Sequence, residues 1–132
     1  MFVKELLLTA RAFVDPTRVR VLAALRKGEL CVCELCDALA VSQSTLSTHL
    51  QVIRDAGLVS TRKEGKWKYY TITPAASSLV GTLFRLFATS VTQDATLLRD
   101  RKRLTRRLSL RNNGTCCIGF EPPRRGTKGP GH

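Results

Sequence analysis

Residues 30–57, LCVCELCDALAVSQSTLSTHLQVIRDAG, decide the fold. Val32, Leu35 and Leu39 recur at the spacing of one helical face and predict a short helix over roughly Val32 to Leu39. Ser42 stands where an N-cap belongs. Behind it Leu46, Leu50 and Ile53 form an i, i+4, i+7 stripe, and Gly57 closes the helix. Two helices joined by so short a turn make a helix-turn-helix.

The rhythm changes after Gly57. Residues 58–63 and 67–72 are β-prone runs flanking Glu64-Gly65-Lys66, which is short enough for a hairpin turn. Upstream, Phe2, Leu6, Ala10 and Phe13 fall on one face of a first helix. Asp15-Pro16-Thr17 starts a second, with Asp15 as N-cap, Pro16 at the first helical position and Gly28 as the stop. Pro74 starts a last helix carrying Leu79, Val80, Leu83, Phe84, Leu86, Phe87 and Val91, with an expected continuation through Leu97, Leu104 and Leu108. Its apolar residues wrap more than one face, so burial is needed on several sides. A subunit interface shared with the first helix would supply it. The expected fold is mainly α with a β-hairpin wing (α+β): a winged helix-turn-helix, homodimeric through its first and last helices. Residues 1–98 read as the DNA-binding and dimerisation domain. Residues 99–132 read as a basic C-terminal extension, with disorder expected from Asn112, where Gly and Pro cluster.

The chain has 132 residues, 43% of them apolar, and a net charge of +12. Ten Lys/Arg against two acids lie from Arg99 onward, and twelve against eight before it. Such a balance points to a polyanionic partner. No apolar run reaches the ~18 residues of a membrane span, and the start of the chain lacks a signal-peptide pattern. A cytoplasmic location without membrane contact is expected. In that reducing compartment the five cysteines are thiols rather than disulfides. No Walker A motif, dinucleotide-binding glycine pattern or nucleophile elbow is present, which argues against an enzyme.

With Leu46, Leu50 and Ile53 packed inward, the opposite face of that helix shows Gln43, Ser44, Thr45, Ser47, Thr48 and Gln51, joined by His49. Short, uncharged, hydrogen-bonding side chains suit base edges in the major groove. Ser and Thr are mediocre inside helices, so their density needs a reason other than propensity. Arg62, Lys63, Lys66 and Lys68 crowd the hairpin tip, where a wing meets phosphate or the minor groove. A solvated polar face and a solvated cationic tip are the plain alternatives.

Cys31, Cys33 and Cys36 concentrate three soft ligands at a helix start. A helix N-terminus lowers a thiol's pKa, against which Glu29, Glu34 and Asp37 act. Residues 33 and 36 share a helical face, but 31 and 33 lie roughly 200° apart around a regular helix. All three sulfurs therefore cannot meet on one atom while the segment stays helical. Either Cys31 precedes the helix or binding unwinds the first turn, which gives a switch a physical cause. Three thiols without a nearby His suit a pyramidal As(III) or Sb(III) centre, and zinc, which wants four ligands, ranks behind. Cys116 and Cys117 could supply further thiolates for a Zn/Cd-type or thiol-redox-responsive regulator, and buried or redox-active cysteines without a ligand stay open too. A metal-trafficking or thiol-redox protein, and an interaction module with a membrane-touching tail, are competing function classes.

Asp15-Pro16-Thr17-Arg18, the run from Glu29 to Cys36, the run from Ser42 to Leu50 and the run from Arg54 to Val59 together resemble the ArsR/SmtB family of bacterial metal-responsive repressors. The cysteine motif is similar to that of its arsenite-responsive members. The resemblance implies a homodimer that needs no cofactor to bind double-stranded operator DNA. It further implies release when As(III) or Sb(III) meets the thiolates of Cys31, Cys33 and Cys36, and control of arsenic-resistance genes. Thr48-His49 stands where the family often has His-His. Asp94 lacks the matching His of the zinc-sensing relatives' last-helix site.

Overall fold

The computed structural model describes residues 2–111. The expected disorder from Asn112, and Cys116 and Cys117, lie outside the described residues. The order is α1 (Phe2–Phe13), α2 (Pro16–Leu25), β1 (Leu30–Cys31), α3 (Val32–Leu39), α4 (Gln43–Asp55), β2 (Val59–Glu64), β3 (Trp67–Ile72), α5 (Pro74–Leu86), α6 (Ala88–Gln93) and α7 (Ala95–Leu108). The helix-turn-helix and hairpin form where the pattern put them, and the fold is a winged helix-turn-helix. Asp15 caps α2 by accepting from the Thr17 amide at 2.8 Å. Ser42 caps α4 by accepting from the Thr45 amide at 3.2 Å. Both satisfy backbone donors that a helix start leaves orphaned.

The sheet has three strands, ordered β1-β3-β2 and antiparallel throughout. Glu64 pairs with Trp67, so the hairpin loop is the two residues Gly65-Lys66, and Gly65 takes the positive φ (61°) such a turn demands. The two-residue β1 escaped the sequence reading, because a strand of that length carries no periodicity. It pairs Leu30 with Tyr70 and Cys31 with Tyr69, and so fixes the approach to α3.

The core joins Val21, Leu22, Leu35, Leu39, Leu46, Leu50, Ile53, Val80 and Phe84. On the face that the spacing picks out on α1, Leu6 and Ala10 are exposed, Leu6 at 65%. Ala12 is the buried residue, with Leu8, Thr9 and Phe13 half-buried. The expected continuous helix from Pro74 breaks at Phe87, where φ/ψ turn to −112°/36°, and again at Asp94. There the Asp94 carboxylate caps a new helix by accepting from the Leu97 amide at 2.9 Å.

The second break lets α7 fold back along α2 and α3. Residues 99–111, expected as an extension outside the 1–98 unit, are here helical to Leu108 and packed on it. Asp100, 4% exposed, accepts from Arg20 (2.7 and 2.9 Å) and Arg103 (2.8 Å). Arg20 also donates to the Leu39 carbonyl at 2.6 Å, and Arg103 to the Ala38 carbonyl at 2.8 Å. These carbonyls belong to the last turn of α3, which leaves them without helical partners. That turn ends at Ala40 in the left-handed region (φ 55°). Arg107 pairs with Asp37, and Arg111 with Glu34. Arginines thus fasten α7 along the length of α3.

Candidate nucleic-acid interface and thiol cluster

On α4, Leu46, Leu50 and Ile53 are buried, and Gln43, Ser44, Thr45, Ser47, Thr48 and Gln51 are exposed. Four of these side chains are engaged locally. Thr48 donates to the Ser44 carbonyl (3.3 Å), Thr45 accepts from the Ser42 hydroxyl (3.0 Å), the Ser44 hydroxyl lies 3.3 Å from that of Ser42, and Gln51 donates to Asp55 (2.7 Å). His49 does not belong to this face. It is half-buried against the start of α2, with Nδ1 3.2 Å from the Arg18 guanidinium and 3.8 Å from the Asp15 carboxylate. Its role here is to join α4 to the α2 N-terminus.

The wing carries all four of its cations, three of them held on a neighbour. Lys66 lies over the Trp67 ring (4.9 Å) and Lys68 over Tyr70 (5.5 Å). Such contacts hold a long side chain without removing its charge from solvent. Arg62 lies over Tyr69 (4.5 Å) and donates to Glu29 and Glu64, both at 2.7 Å. Those hydrogen bonds push its pKa further up. Lys63 is exposed on β2. The tip thus pairs one carboxylate-bound arginine with three lysines.

The three cysteines are thiols and sit in two packing environments. Cys31 precedes α3 as its N-cap (φ/ψ −84°/164°) and packs with Tyr69, with Cys33 and Trp67 against them. Cys36 lies one turn on, fully buried in the main core. Burial, reinforced by Cys33 and Asp37, pushes its thiol up to about 11. The expected lowering by the helix N-terminus does not reach Cys36. Among the described residues, no three His, Cys, Asp or Glu converge as a metal cage.

Sequence reading missed Glu34 as a component of this cluster. It is 0% exposed between Cys33 and Cys36. Its carboxylate accepts from the Cys31 amide (3.0 Å) and from Arg111 (2.6 and 2.7 Å). Burial would raise its pKa, but the bonds from Arg111 and Cys31 more than offset this and hold it low. The signal was present: Glu34 stands three residues after the N-cap, where a capping-box acid belongs. Its partner, 77 residues away, left no such mark.

A polar-faced second helix, its supporting helix and a cationic hairpin define a class, the winged helix-turn-helix transcriptional regulators. The model of the bacterial regulatory protein, arsR family, matches residues 15–61. The arsenic resistance transcriptional regulator ArsR1 of Pseudomonas putida is 41% identical over 76 residues, which is 57% of this chain and 59% of that one. The arsenical resistance operon repressor of Staphylococcus xylosus is 40% identical over 72 residues, covering 54% and 69%. Among solved structures, the homodimeric winged helix-turn-helix domain of Mb0332 from Mycobacterium bovis superposes with TM-score 0.61 at 27% identity, covering 67% of this chain and 82% of that one. The chain belongs to the arsR family of bacterial regulatory proteins, which are regulators and not enzymes. It spans 59% of the length of the Pseudomonas relative.

Proposed function

We propose that this chain is a metalloid-responsive repressor that binds operator DNA as a homodimer and leaves it when As(III) or Sb(III) occupies Cys31, Cys33 and Cys36, so that arsenic-resistance genes are expressed. One observation carries the reading. The three thiols straddle the start of α3, and α3 packs beneath α4, the helix that would read bases. Cys31 stands before the helix, sharing one packing environment with Cys33 while Cys36 lies in another, so a single atom bonded to all three would draw the two environments together and shift the start of α3. Displacing the support displaces the reader, and a ligand that favours the displaced state shifts the population toward it.

The chemistry balances without a redox partner. Arsenous acid exchanges three As–O bonds for three As–S bonds, and each thiol proton leaves with a hydroxide as water. The product is neutral and costs no charge burial in an apolar site. Sb(III) reacts alike. Cys116 and Cys117 remain candidate additional donors.

The dimer rests on unpartnered apolar surface. Val3, Leu6 and Leu7 on α1, and Leu79, Leu86 and Phe87 at α5, are large and exposed. Six such side chains on two helices are the material of a helix-packed interface. Two α4 helices would then lie about one helical turn of DNA apart, ~34–36 Å, on a pseudo-palindrome.

The test is fluorescence anisotropy on DNA from upstream of the chain's own gene, titrated with arsenite, antimonyl, Zn(II) and Cd(II). Arsenite is expected to release wild type. The Cys31→Ser/Cys33→Ser/Cys36→Ser variant should bind the DNA and ignore arsenite. A triple variant that still responds, or a wild type without DNA affinity at any salt, overturns the proposal.

A further inference from the structure

We propose that Arg111 is a strap on the cysteine segment, setting the effector concentration at which the segment opens; this rests on the thiol-site reading above. The Arg111 guanidinium reaches both sides of Cys31. It donates to the Glu29 carbonyl at 2.8 Å before the cysteine and to both Glu34 oxygens, at 2.6 and 2.7 Å, after it. Glu34 in turn accepts from the Cys31 amide at 3.0 Å. Glu29, Cys31, Glu34 and Arg111 are thereby one hydrogen-bonded unit, closed around the turn that must move.

Drawing Cys31 and Cys33 toward the sulfur of Cys36 shifts the start of α3, and the Cys31–Glu34 bond spans that start. Glu34 is fully buried, so it cannot exchange Arg111 for water without further opening. A carboxylate left buried and unpaired is costly, which makes the strap oppose the displaced state. Cutting the strap therefore has two linked effects. Less effector is needed to open the segment, and the DNA-binding arrangement is less populated before any effector arrives. The other end of α7 keeps its own fastening through Asp100, Arg20 and Arg103 to the last turn of α3. Loss of Arg111 alone thus leaves the helix docked.

The experiment uses the full chain and two readouts: the ultraviolet As–S absorption on arsenite titration without DNA, and operator affinity without arsenite. Arg111→Ala is expected to lower the half-saturating arsenite concentration at least tenfold and to weaken operator binding. Arg111→Lys, whose single ammonium cannot span the fork, falls between it and wild type. Arg106→Ala, exposed on α7, leaves the arsenite midpoint unchanged. A merely structural role would move the melting temperature of Arg111→Ala without moving the arsenite midpoint, and that result overturns the strap. So does an Arg111→Ala midpoint at or above wild type. Arg111→Lys carries the test if the alanine variant does not fold. If wild type binds no arsenite, the function reading fails; if wild type responds and the Arg111 variants match it, only the strap fails.

Discussion

The wing and α7 are both rich in cations and use them in opposite ways. At the wing, Lys63, Lys66 and Lys68 keep their charge near solvent, two of them lying over aromatic rings, and only Arg62 is tied to carboxylates. On α7, and just past it, Arg103, Arg107 and Arg111 turn inward and spend their donors on carbonyls and carboxylates of α3 and on Asp100 of α7 itself. Arg99, Lys102 and Arg106 on the same helix point outward. The lesson is that a net charge of +12 is not one signal. Arginine's planar fork lets it serve as a fastener in a partly buried seam, whereas lysine at a turn remains a point charge for whatever polyanion arrives.

That contrast can be broken by substitution, and the largest effect is expected in the seam. Asp100→Ala strands two guanidinium groups, one of them 18% exposed, and should cost about 3 kcal/mol, near the low end for breaking a buried pair because water reaches them in part. Urea denaturation checks it; a change below about 1 kcal/mol would mean that α7 is not fastened as described. Next comes the reading face. Thr48→Ala and Gln43→Ala are each expected to lose about 1–3 kcal/mol of discrimination between operator and scrambled DNA, with little change in the urea midpoint. Equal losses on both DNAs would place these side chains away from base edges. Smaller again is Lys63→Ala, which should weaken all DNA alike and make the log-log salt slope shallower by about 0.9. Smallest is Lys102→Ala, within about 0.5 kcal/mol in stability, because its side chain faces solvent. A larger loss there would erase the distinction between the inner and outer faces of α7.

Much of the fold was legible because its signals are local. Caps at Asp15 and Ser42, a turn at Gly65, and the Leu46–Leu50–Ile53 stripe each occupy a few consecutive residues and did what their spacing required. The outward face of α4 followed from the same stripe. His49 did not, since whether a residue at the margin of a face meets solvent depends on a neighbouring helix, here α2. The cysteine spacing showed that three sulfurs could not converge on an intact helix. It could not show that Cys36 belongs to the main core while Cys31 packs beside Tyr69, because Tyr69 arrives from a strand 38 positions later.

By itself the sequence determined the order of elements, the winged helix-turn-helix and the placing of three thiols at the start of its supporting helix. Each of these depends on periodicity or on a cap within a turn or two. Only the tertiary structure decided where the helix after Phe87 goes and what its arginines hold. The partners of Arg20, Arg107 and Arg111 lie 80, 70 and 77 residues away. An ion pair of that separation forms when two surfaces meet in space, and nothing in the spacing of either residue announces the other.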